Sequence, residues 1–401
     1  MKCGVIKRGA IIFLSLVLLS GCSKESAGNY YKEGMDYFRS GNYDKAEKSL
    51  AKAIEINGDK AEYYIDYGMN MIQLGKYDVA ITYFQKAIQD KNNLIVNKNN
   101  KIALRGEGIA YLKAHKYTEA IKKFEEALAI KESDNLNLDI LYYKGNAQVK
   151  AGLYKEAAEV YTDIIKMKPG DSTSYNARGD IYRSLGEYEN SLSDYNKAID
   201  LDKNNYDFYF AKYFLMLDQN DSEGAKDVLK KALSIKGTTQ KDKFNIAKID
   251  YYMEEYDNAI VGFSEAYSNG FFEAYYYLGD IYERKGEYET AVNNYAMYIE
   301  NQPAIDSAAV YNQIANCYIK LDKDKEALAY IEDGIEMNDI LIMKALKRNE
   351  IVVYENLSNF EKAYSLMKTY VKTYPEDESA KEELTFLKTR LPDAVVIKEE
   401  E

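Results

Sequence analysis

Apolar and polar residues along this chain alternate at helical spacing. Between residues 34 and 54 the apolar positions include Tyr37, Ala46, Leu50, Ala53 and Ile54, with charged residues between them. Positions three and four apart share one face of a helix, so the pattern predicts amphipathic helices. Small and aromatic residues mark fixed places within it: Gly34, Tyr37, Gly41, Tyr43, Ala46, Leu50 and Ala53. The next copies read Gly68, Met71, Gly75, Tyr77, Ala80, Phe84, Ala87 and then Gly108, Tyr111, His115, Tyr117, Ala120, Phe124, Ala127. The steadiest column is Ala46, Ala80, Ala120, Ala157, Ser191, Ala225, Ala259, Ala291, Ala327 and Ala363, with gaps of 34, 40, 37, 34, 34, 34, 32, 36 and 36 residues. A period of this size predicts a repeat architecture in which each unit is one supersecondary element.

Each unit predicts two helices and a tight turn. Gly41, Gly75, Gly152, Gly186 and Gly286 fall where the first helix ends, a place that favours a left-handed residue. His115, the sole histidine, occupies that position in its own unit. Acidic residues such as Asp44, Asp78, Glu189 and Glu361 then open the second helix, where the helix dipole favours negative charge. Gly34, Gly68, Gly108, Gly145, Gly179 and Gly279 are expected where the first helix crosses the second, facing the alanine column.

At these residues the chain resembles the tetratricopeptide repeat family. The resemblance implies an all-α, right-handed superhelical solenoid of about ten helix-turn-helix repeats over residues 30–377. The repeats are read at about 27–60, 61–94, 101–134, 138–171, 172–205, 206–239, 240–271, 272–305, 308–341 and 344–377. A capping helix is expected at 378–390, since a solenoid must close its exposed end, and an acidic tail at 391–401. The family's Trp position holds mostly Tyr here, as in Tyr30, Tyr64, Tyr175, Tyr209, Tyr275 and Tyr311, and its late-turn Pro survives only at Pro169, Pro303 and Pro375. Asn92 to Lys101 and Ser133 to Asn137 read as loops between repeats. The sixth repeat, with Tyr213 in the glycine column and Asn220-Asp221-Ser222 in the turn, reads either as a drifted copy or as a joint.

The N-terminus carries a different signal. Lys2, Lys7 and Arg8 precede an apolar run from Ala10 to Leu19 and then Leu19-Ser20-Gly21-Cys22. A basic flank and a short apolar segment read as a secretory signal peptide, residues 1–21. Ten helical residues rise only about 15 Å, half the hydrocarbon thickness. The ending resembles a bacterial lipobox, which implies lipidation of Cys22, a short tether over 22–29, and a protein held at the extracytoplasmic face of a bacterial membrane, the cell membrane foremost. Two acyl chains anchor stably where one is marginal.

Composition narrows the chemistry. The formal charge of −12 argues against a phosphate-backbone ligand, which needs clustered Lys and Arg. Cys3 leaves with the signal and Cys22 is acylated, so only Cys317 remains, in a helical stretch of core-type residues that predicts a buried thiol. One His and one free Cys leave no His-based metal set and no Cys/His zinc cluster. No GxxxxGK[ST], GxSxG or HExxH motif occurs. The reading is therefore no enzyme, no cofactor, no metal and no nucleic acid. The 40 Tyr residues, with no Trp, fall mostly on the structural columns.

What remains is binding. The resemblance implies a concave groove lined by the first helix of each repeat, which takes a protein or peptide partner. The stripe beside the core columns supplies the candidate groove residues Tyr142, Asn146, Phe210, Phe214, Phe244, Tyr276 and Asp280. Phe210, Phe214 and Phe244 have a second reading, as core residues of drifted repeats. The function expected is a membrane-anchored interaction scaffold. The alternatives are a self-associating structural solenoid and a cell-wall glycan binder.

Overall fold

A computed structural model describes residues 26–301 and 307–391. Every regular element among them is helical: twenty-one α-helices and one 3-10 turn, Asp134–Leu136. Contacts divide the chain into two units, Met1–Leu201 and Asp202–Glu401. The first contains α1 (Ala27–Arg39), α2 (Tyr43–Ile56), α3 (Ala61–Gln73), α4 (Tyr77–Ala87), α5 (Leu94–Lys113), α6 (Tyr117–Ala129), α7 (Asn137–Lys150), α8 (Tyr154–Met167), α9 (Ser172–Ser184) and α10 (Tyr188–Leu201). The second contains α11 (Tyr206–Asp218), α12 (Ser222–Ala232), α13 (Gln240–Tyr252), α14 (Tyr256–Ser268), α15 (Ala274–Arg284), α16 (Tyr288–Asn301), α17 (Ser307–Lys320), α18 (Asp324–Glu336), α19 (Ile340–Asn356), α20 (Phe360–Thr373) and α21 (Glu378–Lys388).

Within each unit an odd-numbered helix packs on the even-numbered helix that follows it. The odd helices also meet one another, as α3 with α5 and α5 with α7 in the first unit, or α13 with α15 and α17 with α19 in the second. Odd helices thus form one layer and even helices the other. The hairpin turns share one device. Gly41, Gly75, His115, Gly152, Gly186, Asn220, Glu254, Gly286, Asp322 and Ser358 all hold φ between 55° and 76°. A left-handed residue there lets the next amide reach back and close the helix end, as Asn42 N–H does to the Tyr37 carbonyl at 2.9 Å and Lys116 N–H to that of Tyr111 at 2.9 Å.

The core explains the columns. Every member of the alanine column, Ser191 included, has no exposed surface. Ser191 stays satisfied by donating its hydroxyl to the Gly179 carbonyl at 2.8 Å. The glycine column, however, does not face the alanines. It lies under the large side chain one turn further along the second helix. A Cβ on Gly68 would stand 2.9 Å from the Phe84 ring, and one on Gly179 would stand 2.7 Å from Tyr195. Only a hydrogen fits beneath a ring that close, so glycine permits the ring to be buried between the helices.

Other expectations are corrected at the joints. Ser26 caps α1 by accepting from Asn29 N–H at 3.3 Å, and Ala27 is buried beside Ala53 and Tyr63. Residues 27–29, expected in the tether, are therefore helical. Asn93 caps α5 by accepting from the amides of Ile95 and Val96 at 3.1 and 3.0 Å, so Leu94 to Lys101 is helix where a loop was expected. Burial of Val96 and of Lys101, whose Nζ donates to the Ile130 carbonyl at 2.7 Å, holds those extra turns. Ser133 to Asn137, also expected as a loop, is occupied by the 3-10 turn and the start of α7. Leu391, assigned to the tail, is buried in the cluster with Ile351, Tyr364 and Leu387. The signal segment 1–21, Cys22, Pro303 and residues 392–401 lie outside the described residues. Cys317 is fully buried, and burial pushes its thiol up to about 12. Among the described residues no helix is long and apolar enough to cross a membrane.

Candidate functional site: clefts of the odd-helix layer

The odd-helix layer of each unit carries an open cleft. In the first unit it measures ≈ 810 Å³ and is lined by Tyr142, Tyr143, Asn146 and Lys150 of α7, by Leu112 and Lys113 of α5, and by His115 of the following turn. In the second it measures ≈ 570 Å³ and is lined by Asp280 and Arg284 of α15, Asn316 and Lys320 of α17, and Asn349 and Val352 of α19. Three and four residues between liners on one helix put them on one face, which is why single helices contribute several groups each.

In the first cleft the fold has already committed some groups. The Tyr142 hydroxyl donates to Asp171 Oδ2 at 2.6 Å and accepts from Ser174 Oγ at 3.1 Å. Burial and that bond to Asp171 push Tyr142 up to about 12, so it is a neutral ring at any physiological pH. Burial alone would raise Asp171, but bonds from Ser174, Tyr142, Lys168 and Thr173 outweigh it and hold that carboxyl down to about 2. Arg105 pairs with Asp139 and lies 5.4 Å over the Tyr143 ring. Tyr143 in turn stacks on Phe124 at 6.0 Å. Asn146 is exposed on the floor between these groups. His115 Nδ1 lies 2.9 Å from the Tyr117 hydroxyl.

In the second cleft Asp280 is buried, accepts from the Tyr251 hydroxyl at 2.7 Å and pairs with Arg284. Asn349 Nδ2 donates to Asn312 Oδ1 at 2.9 Å and to Asn316 Oδ1 at 2.8 Å. From the middle of α19, Arg348 pairs with Glu383 of α21, and the Glu355 carboxyl, near the end of α19, faces the same Glu383.

The expected groove residues do not all share one fate. Tyr142 and Asn146 line the first cleft, and Asp280 lines the second. Phe210 and Phe244 are buried, at 6% and 5% exposure, and belong to the core of the second unit. Phe210 packs edge-on against Tyr252 at 5.7 Å, and Phe244 against Phe263 at 5.8 Å. Phe214 and Tyr276 are half-buried; Tyr276 rests against Tyr295 and Tyr298. These helices are aromatic on more than one face, so a stripe drawn beside the core runs partly inside it. Lys248 lies 4.8 Å over Phe210 and 5.8 Å over both Phe244 and Tyr277.

Sequence reasoning missed Lys113, Lys150 and Lys320. Lys150 stands one helical turn beyond the stripe residue Asn146, and Lys113 and Lys320 stand four residues beyond Ile109 and Asn316, which hold the same repeat position as Asn146. Extending the stripe by four residues would have found them.

The comparisons with known proteins agree with this architecture. Models described as tetratricopeptide repeat match residues 25–93, 72–135 and 111–181, and others of the same kind match 179–212, 273–304 and 308–340. The chain is a tetratricopeptide-repeat protein. Relatives include the TPR repeat-containing protein YpiA of Bacillus subtilis, 24% identical over 310 residues that cover 75% of this chain and 70% of that one. The Hsp70-Hsp90 organizing protein of Triticum aestivum is 28% identical over 193 residues, 41% of this chain. This chain spans only 33% of that relative's length. Among solved structures, yeast Tom70 aligns with a TM-score of 0.43 at 14% identity, covering 93% of this tetratricopeptide-repeat chain and 98% of its own. YrrB, described as a TPR protein with an unusual peptide-binding site, aligns with a TM-score of 0.38 at 24% identity over 47% of this chain and 92% of its own.

Proposed function

We propose that this chain is a non-enzymatic scaffold that holds a protein or peptide partner along its odd-helix layer. The observation that carries this reading is the pair of clefts. Their liners combine ring faces, amides and charged groups that the core does not consume, on helices that the core columns hold rigid. Such a surface suits an extended or helical segment of another protein, with aromatic faces supplying area and polar groups fixing register. The wheat relative's name, which has it organizing Hsp70 and Hsp90, supports a protein partner over a small metabolite.

The scaffold acts at the outer face of a bacterial membrane, anchored through acylated Cys22. Lys2, Lys7 and Arg8, the apolar run to Leu19 and the Leu19-Ser20-Gly21-Cys22 ending support this placement, and the Bacillus relative supports a bacterial setting. Two variants test the two halves of the reading. Cys22→Ser is expected to release the protein from the membrane fraction or to leave it unprocessed; unchanged membrane fractionation overturns the anchor. Asn146→Trp, which fills the first cleft from an exposed site, is expected to lose a partner that co-purifies with the wild type. Retention of every partner by that variant and by Asn316→Trp together overturns the scaffold.

A further inference from the structure

We infer that the first-unit cleft selects an acidic segment of its partner, one that carries carboxylates on either side of an apolar side chain. This deepens the proposed function and rests on it. The chain as a whole carries an excess of acid, with a formal charge of −12, yet the lining of this cleft runs the other way. Lys113 closes α5 and Lys150 closes α7, both exposed at the cleft edge. Among the described residues neither has a carboxylate within ion-pair distance, whereas Lys76, Lys116, Lys123 and Lys144 of the same unit each do. The one acid that lines the cleft, Asp139, is already paired with Arg105. The cleft therefore holds two ammonium groups in excess.

The second cleft lacks that imbalance, since Asp280 and Glu283 stand there against Arg284 and Lys320. Charge alone thus separates the two sites. Beside the two lysines the lining includes the half-buried rings of Tyr142 and Tyr143, with the Tyr142 hydroxyl bonded to Asp171. That leaves ring surface for an apolar side chain and two cations for what flanks it. In an extended segment alternate residues point the same way at about 7 Å spacing, so an acid, an apolar residue and a second acid at successive alternate positions put the apolar side chain on the rings and a carboxylate toward each lysine. A polymer rich in phosphate offers similar charge but nothing for the rings, which favours the peptide.

The test uses the full-length chain in lipid nanodiscs and a fluorescein-labelled probe of about twelve residues, long enough to cross two helices. Alternate residues of the probe run Glu, Leu, Glu, so that one face carries an apolar side chain between two carboxylates, and the residues between them are Ala and Gly; counterparts with Gln or Lys in place of Glu complete the set. The Glu probe is expected to bind, to weaken with salt, and to lose about tenfold in affinity to K113E/K150E, because two partly exposed ion pairs become repulsions. K122E/K131E, which reverses two exposed lysines outside the cleft, is expected to leave binding within about twofold. Failure of the Glu probe to bind up to ~1 mM, equal affinity for the Gln probe, or indifference to K113E/K150E each overturns the acidic preference. Tighter binding of polyphosphate than of the Glu probe overturns it in favour of a phosphate polymer. The proposed function fails separately: in that case Asn146→Trp and Asn316→Trp both leave partner binding unchanged.

Discussion

Gly108 of α5 sits beneath Phe124 of α6, and that approach can be tested by one methyl group. A Cβ at position 108 would stand 2.5 Å from the ring's Cε1 and 2.8 Å from its Cδ1, where carbon atoms settle at roughly 3.5–4.0 Å. The ring has no exposed surface and stacks on Tyr143 of the cleft at 6.0 Å, so either it or α5 must shift by about 1 Å. Overpacking of that size costs roughly 2–3 kcal/mol. Alanine in place of glycine inside a helix returns about 1 kcal/mol, which leaves Gly108→Ala less stable by about 1–2 kcal/mol. Urea unfolding followed by far-UV circular dichroism measures the loss, and hydrogen exchange is expected to place it in α5 and α6. Trimming the ring with Phe124→Leu in the same chain should relieve the clash, giving a coupling of at least about 1 kcal/mol in the double-mutant cycle. Gly28→Ala, with its nearest neighbour at 3.7 Å, is the control and should cost nothing. A Gly108→Ala protein as stable as the wild type would refute the close approach of the two helices.

Glu254 holds φ +65° in the turn between α13 and α14, so Glu254→Gly should gain roughly 1 kcal/mol by relieving a left-handed side chain, and Gly152→Ala, at φ +74°, should lose a similar amount; thermal melts of the two read the opposite signs. Burial, aided by the facing Glu383, pushes Glu355 from the ordinary 4.5 up to about 7. The folded state thus holds a proton that the unfolded state has released, so this contribution is complete below about pH 4.5 and is lost as pH rises through about 7. Because that carboxyl is still half in water, about 1 kcal/mol is expected between the two limits rather than the full linkage value. Hydrogen exchange in α21 should accelerate correspondingly from pH 5 to pH 8, corrected for intrinsic rates, and Glu355→Gln should abolish the change; a wild-type chain with no such change contradicts the shared proton between Glu355 and Glu383.

The fold was legible because each repeat position has one physical job. An alanine at the crossing of two helices, a left-handed residue at the turn and a ring beneath glycine leave separate marks at constant spacing, so the frame survives even where Tyr replaces Trp. His115 could be placed at a turn from its column alone, and it stands there at φ +59°. The front of α5 was not legible, since Asn97, Asn99 and Asn100 are poor helix formers. Tertiary burial of Val96 and Lys101 overrides their propensity. The site was less legible than the fold. Aromatic residues line the core and the cleft alike, and Phe244 and Tyr142 differ in exposure through neighbours that sequence periodicity does not name. Unpaired charge is likewise a property of the assembled surface: Lys113 and Lys116 look alike in the chain, but only Lys116 finds an acid, Asp78 at 3.1 Å.

The central claim is that a partner occupies the odd-helix layer, and in-cell photo-crosslinking tests it most directly. A photoreactive amino acid at Asn146 lies on the floor of the first cleft, while one at Lys122 lies on the exposed face of α6. A discrete protein adduct from Asn146, absent from Lys122 and lost when the cleft is filled from Lys150→Trp, is the predicted result. Adducts that form equally at both positions, or at Lys122 alone, would contradict it.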